Sequence, residues 1–171
     1  YEICACLVGS EMCIRDRALA ALMRLCARAE KSQDDARRLM RGWGLAEREG
    51  EQVLARLVRD RFIDDGRYAK AFVRDKLRLS GWGEYKIRTA LQRKRIDREL
   101  IDAALAQADR QDMAGRLRQQ LERKMRTTRH TTQYELKTKL IRYGLSLGYD
   151  YETVLDSAAA LVTDTETCDE F

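Results

Sequence analysis

Proline is absent from all 171 residues, and histidine occurs only once. A strand-and-turn protein of this length draws on several prolines, so their absence favours helices joined by short Gly, Ser or Asp turns. The single His130 stands in a Thr/Arg-rich turn that supports no Ser-His-Asp or Cys-His arrangement, and alone it cannot help build a metal site. No stretch reads G-x4-G-K-[ST], so the chain carries no phosphate loop of the ATPase type. The apolar run Ile3–Val8 is too short to span a membrane, and no basic start precedes it as in a secretory signal. The five cysteines, Cys4, Cys6, Cys13, Cys26 and Cys168, show neither metal-ligand spacing nor a regular framework. Their odd number argues for reduced thiols and a cytoplasmic setting. No catalytic residue, cofactor or metal is expected.

What is abundant is charge and helix propensity. Ala, Leu, Arg, Glu and Lys dominate, all good helix formers. The charged fraction is 36%, against roughly 25% in an average globular domain. Such a chain buries a modest core per unit length, which suits thin helical layers with a large solvated surface. The net charge is +5, and its distribution matters more than the total. Residues 67–98 hold eleven Lys/Arg against three Asp/Glu, and residues 116–142 hold nine against two. Residues 150–171 hold seven acidic residues and no basic one. Two dense basic stretches point to a polyanion or an acidic protein face as partner.

Tyr1–Arg17 reads YEICACLVGSEMCIRDR and has no initiator Met. It resembles a translated sequencing-adapter tail, and on that reading it stands outside the fold and the true N-terminus is missing. The alternative is a genuine apolar strand or hairpin.

The most informative feature is self-similarity at a period of about fifty residues. Ala36-x3-Met40-x3-Gly44-Leu45, Ile87-x3-Leu91-x3-Arg95-Ile96 and Leu136-x3-Leu140-x3-Gly144-Leu145 align. Each is an apolar i, i+4 pair on one helix face, then a helix stop and an apolar residue. Gly44 and Gly144 fit left-handed C-terminal caps, a conformation that Arg95 must adopt under strain or avoid. Two further helices flank each marker.

In the first unit an opening helix of about Ala18–Glu30 precedes the capping pair Ser32 and Asp35. Its closing helix carries Val53, Leu54, Leu57 and Val58. The second opens on Asp64 or Asp65 as cap, with Ala69, Phe72, Val73, Lys76 and Leu77 on one face, and ends at Ser80-Gly81-Trp82-Gly83. Asp97 caps its closing helix, which carries Leu100, Ile101, Ala104 and Leu105. The third has Leu117, Leu121 and Met125, the capping box Thr132-x-x-Glu135, and Val154, Leu155, Ala158 and Val162. The expected fold is all-α: about nine helices in three tandem three-helix repeats, elongated, over residues 18–63, 64–108 and 109–162. An acidic tail, 163–171, follows. Units this small need their neighbours for some of their burial.

The run Arg61-Phe62-Ile63-Asp64-Asp65-Gly66-Arg67-Tyr68-Ala69, followed by Phe72-Val73, resembles the signature of the RecX family. Gly81-x-Gly83, Ile87, and Leu91-x-x-Lys94-Arg95-Ile96 match that family's glycine pair and its L-x-x-K-G-I helix end, with Arg95 where the family usually places glycine. The resemblance is strongest over residues 60–105 and falls to the repeat pattern alone beyond 106. It implies a regulator that binds the RecA nucleoprotein filament along its groove and hinders growth or promotes disassembly. RecA's ATP hydrolysis, strand exchange and repressor cleavage fall as a result, in DNA repair and the SOS response. A monomer with no membrane association is expected, with single- or double-stranded DNA as a further partner. A stand-alone basic helical DNA-binding module is the alternative.

Arg74, Lys76, Arg78, Trp82, Lys86, Arg88, Arg93, Lys94, Arg95 and Arg98 are the candidate filament or DNA contacts; the competing reading is a merely solvated face. Trp82 is either an interface anchor or a cover for the core. The signature residues Asp64, Asp65, Arg67, Tyr68 and Ala69 read as structural. One aspartate caps the helix, the other pairs with Arg67 or the helix end, and Tyr68 joins the core with Ile63 and Phe72.

Overall fold

The structure, a computed structural model, describes residues 11–108 and 110–166. Among these residues it contains nine α-helices, one π-helical turn and no strand. The first unit comprises α1 (Glu11–Arg28), α2 (Gln33–Gly42) and α3 (Glu47–Arg59). The second comprises α4 (Asp65–Asp75), the π-helical turn Lys76–Ser80, α5 (Glu84–Arg93) and α6 (Arg98–Leu105). The third comprises α7 (Arg110–Thr127), α8 (Gln133–Leu147) and α9 (Tyr151–Glu166). In each unit the third helix packs against both others.

Three apolar clusters correspond to the three units. Ala18, Leu22, Met40, Leu57 and Ile63 centre the first, Tyr68, Val73, Ile87, Leu91 and Ile101 the second, and Leu117, Leu121, Leu136, Leu140 and Val154 the third. Each repeat marker therefore supplies its apolar pair to its own core. Truncating one of the fully buried leucines to alanine costs about 2–5 kcal/mol. Val58, expected in the first core, is instead exposed on the far side of α3.

The turns explain why the units repeat. After α2 the N–H of Gly44 donates to the Arg41 carbonyl at 3.0 Å and that of Leu45 to Met40 at 3.1 Å. After α5 the N–H of Arg95 donates to Gln92 at 2.9 Å and that of Ile96 to Leu91 at 3.2 Å. Both are Schellman-type ends, in which an apolar residue beyond the left-handed position folds back onto the core. Gly44 has φ +80° and Arg95 φ +56°, so the arginine does adopt the glycine conformation.

Gly144 departs from expectation. It lies inside α8, and the left-handed cap is Gly148, with φ +91°. A Cβ on Gly144 would stand 2.6 Å from Val154 Cγ1, so the missing side chain serves the close approach of α8 and α9 rather than a turn.

Other caps also differ. Asp97 occupies the N-cap position of α6 but its side chain makes no capping hydrogen bond. Thr132 Oγ1 accepts from the Glu135 N–H at 3.2 Å, while Glu135 reaches back to Thr131 rather than to the cap residue's own N–H. Residues 11–17, set apart in the sequence reading, form the first turns of α1, and Arg15 donates to Gln52 on α3 at 3.3 Å. Once the Ala18–Arg28 turns are nucleated, each preceding residue adds a backbone hydrogen bond at little entropic cost. The adapter and hairpin readings of residues 1–10 lie outside the described residues. So does 167–171 of the acidic tail, whereas residues 163–166 continue α9.

The two junctions are chemically unlike. The second and third units meet backbone to backbone: the Gly83 N–H donates to the Leu147 carbonyl at 2.8 Å and the Tyr85 N–H to Gly148 at 3.1 Å. Met113 packs against both of their cores. The first and second units are joined by charged and polar side chains, described next.

Candidate polyanion-binding face

The signature run after α3 organises the first junction. Asp64 caps α4, its Oδ1 accepting from the Arg67 N–H at 2.9 Å. Asp65 reaches across to accept from the Gln33 N–H at 2.9 Å, at the start of α2. Burial raises its carboxyl above the ordinary value, and the bond from Gln33 only partly offsets this. Arg67 pairs with neither aspartate. Its Nε lies 2.6 Å from Glu30 Oε1, and its terminal nitrogens donate to the Arg61 and Phe62 carbonyls. Of the two partners expected for the second aspartate, Arg67 is not used, and Asp65 holds the first N–H of α2 instead. The arginine spans past the capped helix to close the connection from α1. Tyr68 and Ala69 are buried, as a structural reading requires.

Several candidate cations are engaged within the chain. Lys94 Nζ sits 2.7 and 2.8 Å from the Asp35 carboxylate oxygens. Burial opposes the charge on Asp35, but the Lys94 hydrogen bond and charge, with Ser32, carry its carboxyl below the ordinary range. Arg95 lies 3.8 Å from Asp34, an exposed and weak pair. Arg88 binds both Asp102 and Glu84, which ties α5 to α6. Arg98 approaches Asp102 at 3.7 Å. Lys94 and Arg88 therefore act as braces of the fold, a role that residue type and spacing alone do not reveal.

Trp82 both covers the core and bridges cations. Its ring stands edge-on to Phe72 at 6.4 Å, with Lys76 Nζ 4.7 Å and Lys86 Nζ 4.8 Å from its centroid. Lys86 also donates to the Ser146 carbonyl at 3.0 Å, adding to the second junction. Cation–π contacts at such a site contribute about 0.5–2 kcal/mol each.

The remaining candidates fall in different places. Arg88 lines a cleft with Tyr85, Met113 and Tyr149 between the second and third units. Arg95 lines another with Arg37, Arg41 and Glu51. Arg74 and Arg78 line a third, with Val73 of α4 and Ala104 of α6. Arg93 is exposed at the end of α5. The cations of the middle unit thus do not form one strip. The helical period distributes consecutive residues around the axis, and a basic stretch longer than a turn reaches several faces.

Sequence reasoning missed three cations at the α4 cleft. Lys70 lies one turn before Arg74 and lines it too. Arg116 and Arg123 of α7 line its continuation beyond Arg78. Lys70 stands within the first basic stretch and the two arginines within the second. Only the packing of α7 beside the π-helical turn brings the stretches together.

Comparisons with known proteins agree with this architecture. Family models described as the second and third three-helix domains of RecX match residues 64–105 and 111–156. "Regulatory protein RecX" of Cronobacter sakazakii is 32% identical over 148 residues, covering 81% of this chain and 88% of the relative. The protein of the same name from Clostridium beijerinckii is 30% identical over 139 residues, covering 80% of this chain but 64% of the relative. That from a Clostridium botulinum strain is 33% identical over 97 residues, and the match spans 45% of its length. The chain thus spans about half to two thirds of these clostridial relatives. The crystal structure of RecX from Lactobacillus salivarius superposes with a TM-score of 0.74 at 17% identity, covering 88% of this chain and 97% of that one. A second crystal structure of regulatory protein RecX gives 0.76 at 20% identity, covering 84% and 71%. These two show the fold, and the Cronobacter match joins it to a sequence relationship along most of both chains. The chain belongs to the RecX family of regulatory proteins.

Proposed function

We propose that this protein binds the RecA nucleoprotein filament in the cytoplasm and lowers its recombinase, ATPase and coprotease activities without catalysing a reaction. The observation that carries the reading is the Cronobacter match, because it extends through all three units rather than one. Three separate cores joined in series suit an elongated monomer able to follow a filament groove. Among the described residues no helix is long and apolar enough to cross a membrane.

The filament contacts in this reading are Arg74, Lys76, Arg78, Trp82, Lys86, Arg93, Arg95 and Arg98, with Arg88 and Lys94 retained as braces. The alternative is a module that binds DNA alone, which the basic three-helix units also support. The two readings separate in RecA's DNA-dependent ATP hydrolysis, measured with substoichiometric protein at a salt concentration where it does not bind naked DNA. Inhibition is expected. Unaltered hydrolysis together with tight, salt-sensitive DNA binding would replace the regulator by the module. Arg93→Glu with Arg98→Glu is expected to weaken the inhibition while leaving thermal unfolding near that of the parent.

A further inference from the structure

We infer that the cleft between the second and third units is a binding site for a short aliphatic diammonium ion, one end on each wall. The site is complete within this chain and independent of any contact with RecA.

The cleft encloses about 560 Å³, a volume typical of small-molecule sites, and lies between two packed units, where such sites concentrate. Each wall carries one carboxylate. Glu84 opens α5 in the second unit, and Asp150 immediately precedes α9 in the third. Among the described residues Arg88 is the only cation lining the cleft, and Asp102 and Glu84 already hold its guanidinium. Asp150 has no ion-pair partner among the described residues. Its oxygens accept from the Thr153 N–H and hydroxyl, each at 2.8 Å. Those bonds hold its carboxyl below the ordinary range, so it stays charged. Two carboxylates against one engaged guanidinium leave this cleft negative in a chain of net charge +5. It attracts a cation and repels a phosphate.

The groups between the carboxylates suit an alkyl chain with charged ends. Tyr149 lines the cleft and is only 7% exposed, yet its hydroxyl has no hydrogen-bond partner. The charges that act on it, Arg116 and Asp112, bind each other at 2.9 Å. A shielded hydroxyl without a partner is unfavourable, and an ammonium N–H in the cleft donates to its free lone pairs. Tyr85 is 73% exposed at the rim, and among the described residues no cation stands over its ring. Elsewhere the chain places lysine ammoniums 4.7–5.5 Å from the ring centroids of Tyr68, Phe72, Trp82 and Tyr143. A ligand ammonium gains the same attraction from the Tyr85 ring. Met113 and Ala114 supply apolar wall for the methylenes. A diamine answers both carboxylates, whereas a lysine side chain answers one.

The test uses the whole chain, isotope-labelled, with 1,4-diaminobutane as the probe and backbone amide resonances as the readout. Amides of Gly83–Tyr85 and Gly148–Thr153 should shift together and reach half-saturation at about 1 mM. n-Butylamine, which offers one charge, should bind about tenfold more weakly. Asp150→Asn keeps an oxygen that caps α9 and should also weaken the diamine about tenfold. Tyr149→Phe should weaken it about two- to tenfold without lowering the melting temperature, because the hydroxyl holds nothing in the free chain. Asp164→Asn with Glu166→Gln removes charge from the acidic tail and should leave the affinity unchanged. Cleft amides that do not shift, or equal affinities for the parent, Asp150→Asn and Tyr149→Phe, would overturn the proposal. So would displacement by magnesium at equal charge concentration, the mark of a diffuse counterion. Tighter binding of Nα-acetyl-lysinamide than of the diamine would overturn it too, by reassigning the cleft to a lysine of a protein partner.

Discussion

Lys94 Nζ lies 2.7 and 2.8 Å from the two carboxylate oxygens of Asp35, a residue 59 positions earlier, and 5.5 Å from the Tyr68 ring centroid. One ammonium thus touches the second helix of the first unit and the opening helix of the second. Lys94→Met leaves a nearly buried carboxylate with only the exposed Arg38, 2.9 Å away, as its cation and should lower stability by about 1–3 kcal/mol. A double-mutant cycle with Asp35→Asn should give a coupling of about 0.5–3 kcal/mol in urea unfolding. Coupling indistinguishable from zero would show that the two units are joined by something else.

The same pair sets a pH dependence at both ends of the scale. Asp35 is held below its ordinary value: burial, the largest influence, raises it, but Lys94 and Ser32 outweigh that. A depressed carboxyl contributes stability that is complete above the unfolded value, about 3.9. The contribution fades as pH falls through the lower folded value. Lys94 is raised: burial, the largest influence, lowers it, but the hydrogen bonds it donates to Asp35 and the nearby Tyr68 outweigh that. Its contribution is complete below the unfolded value, about 10.4, and fades as pH rises through the higher folded one. Between these limits the pair is fully formed. Unfolding midpoints measured from pH 2 to 11 should fall at both ends, and Lys94→Met should flatten the alkaline limb.

Arg95 occupies φ +56° at the end of α5, where its counterpart after α2 is glycine. A left-handed residue with a Cβ costs about 1–2 kcal/mol, whereas glycine's extra unfolded-state freedom gives back roughly 0.5–1. The pair with Asp34 at 3.8 Å is too exposed to change that balance. Arg95→Gly should therefore stabilise the chain by about 0.5–1 kcal/mol in chemical unfolding. A loss of stability would show that the guanidinium contributes more than its geometry suggests.

Gly83 meets the backbone of Gly148 so closely that an added Cβ overlaps the carbonyl carbon and oxygen there. Neither is the end of a flexible side chain. Gly83→Ala should open the junction of the second and third units, breaking the Gly83–Leu147 and Tyr85–Gly148 bonds. Amide exchange in Gly83–Lys86 and Leu147–Tyr149 should quicken before exchange in the core of α5 or α8. Gly144→Ala, which strikes only the Val154 methyl groups, should instead loosen α8 against α9 and leave that junction protected.

The sequence by itself determined the architecture. Apolar pairs at helical spacing, recurring near every fifty residues in a chain without proline, admit few structures other than serial helical units. The Ser32–Asp35 pair, and a cap at Asp64 or Asp65, were legible because capping is local, involving residues three apart; the structure chose Asp64. The family resemblance was legible in residues 61–73 and 81–96 because those positions serve turns and cores, whose residue types are narrowly constrained.

Tertiary packing decided which charges are free. Lys94 and Arg88 look like their neighbours in the sequence, and only the approach of Asp35 and Asp102 makes them braces. Gly144 looked like a cap until α9 was seen to press against it. Arg78 and Arg123 lie far apart in the chain and share one furrow because α7 packs beside the π-helical turn. Helix formation depends on neighbours a few residues away, so it can be read along the chain. The charge available at a surface depends on every residue that folding brings near it.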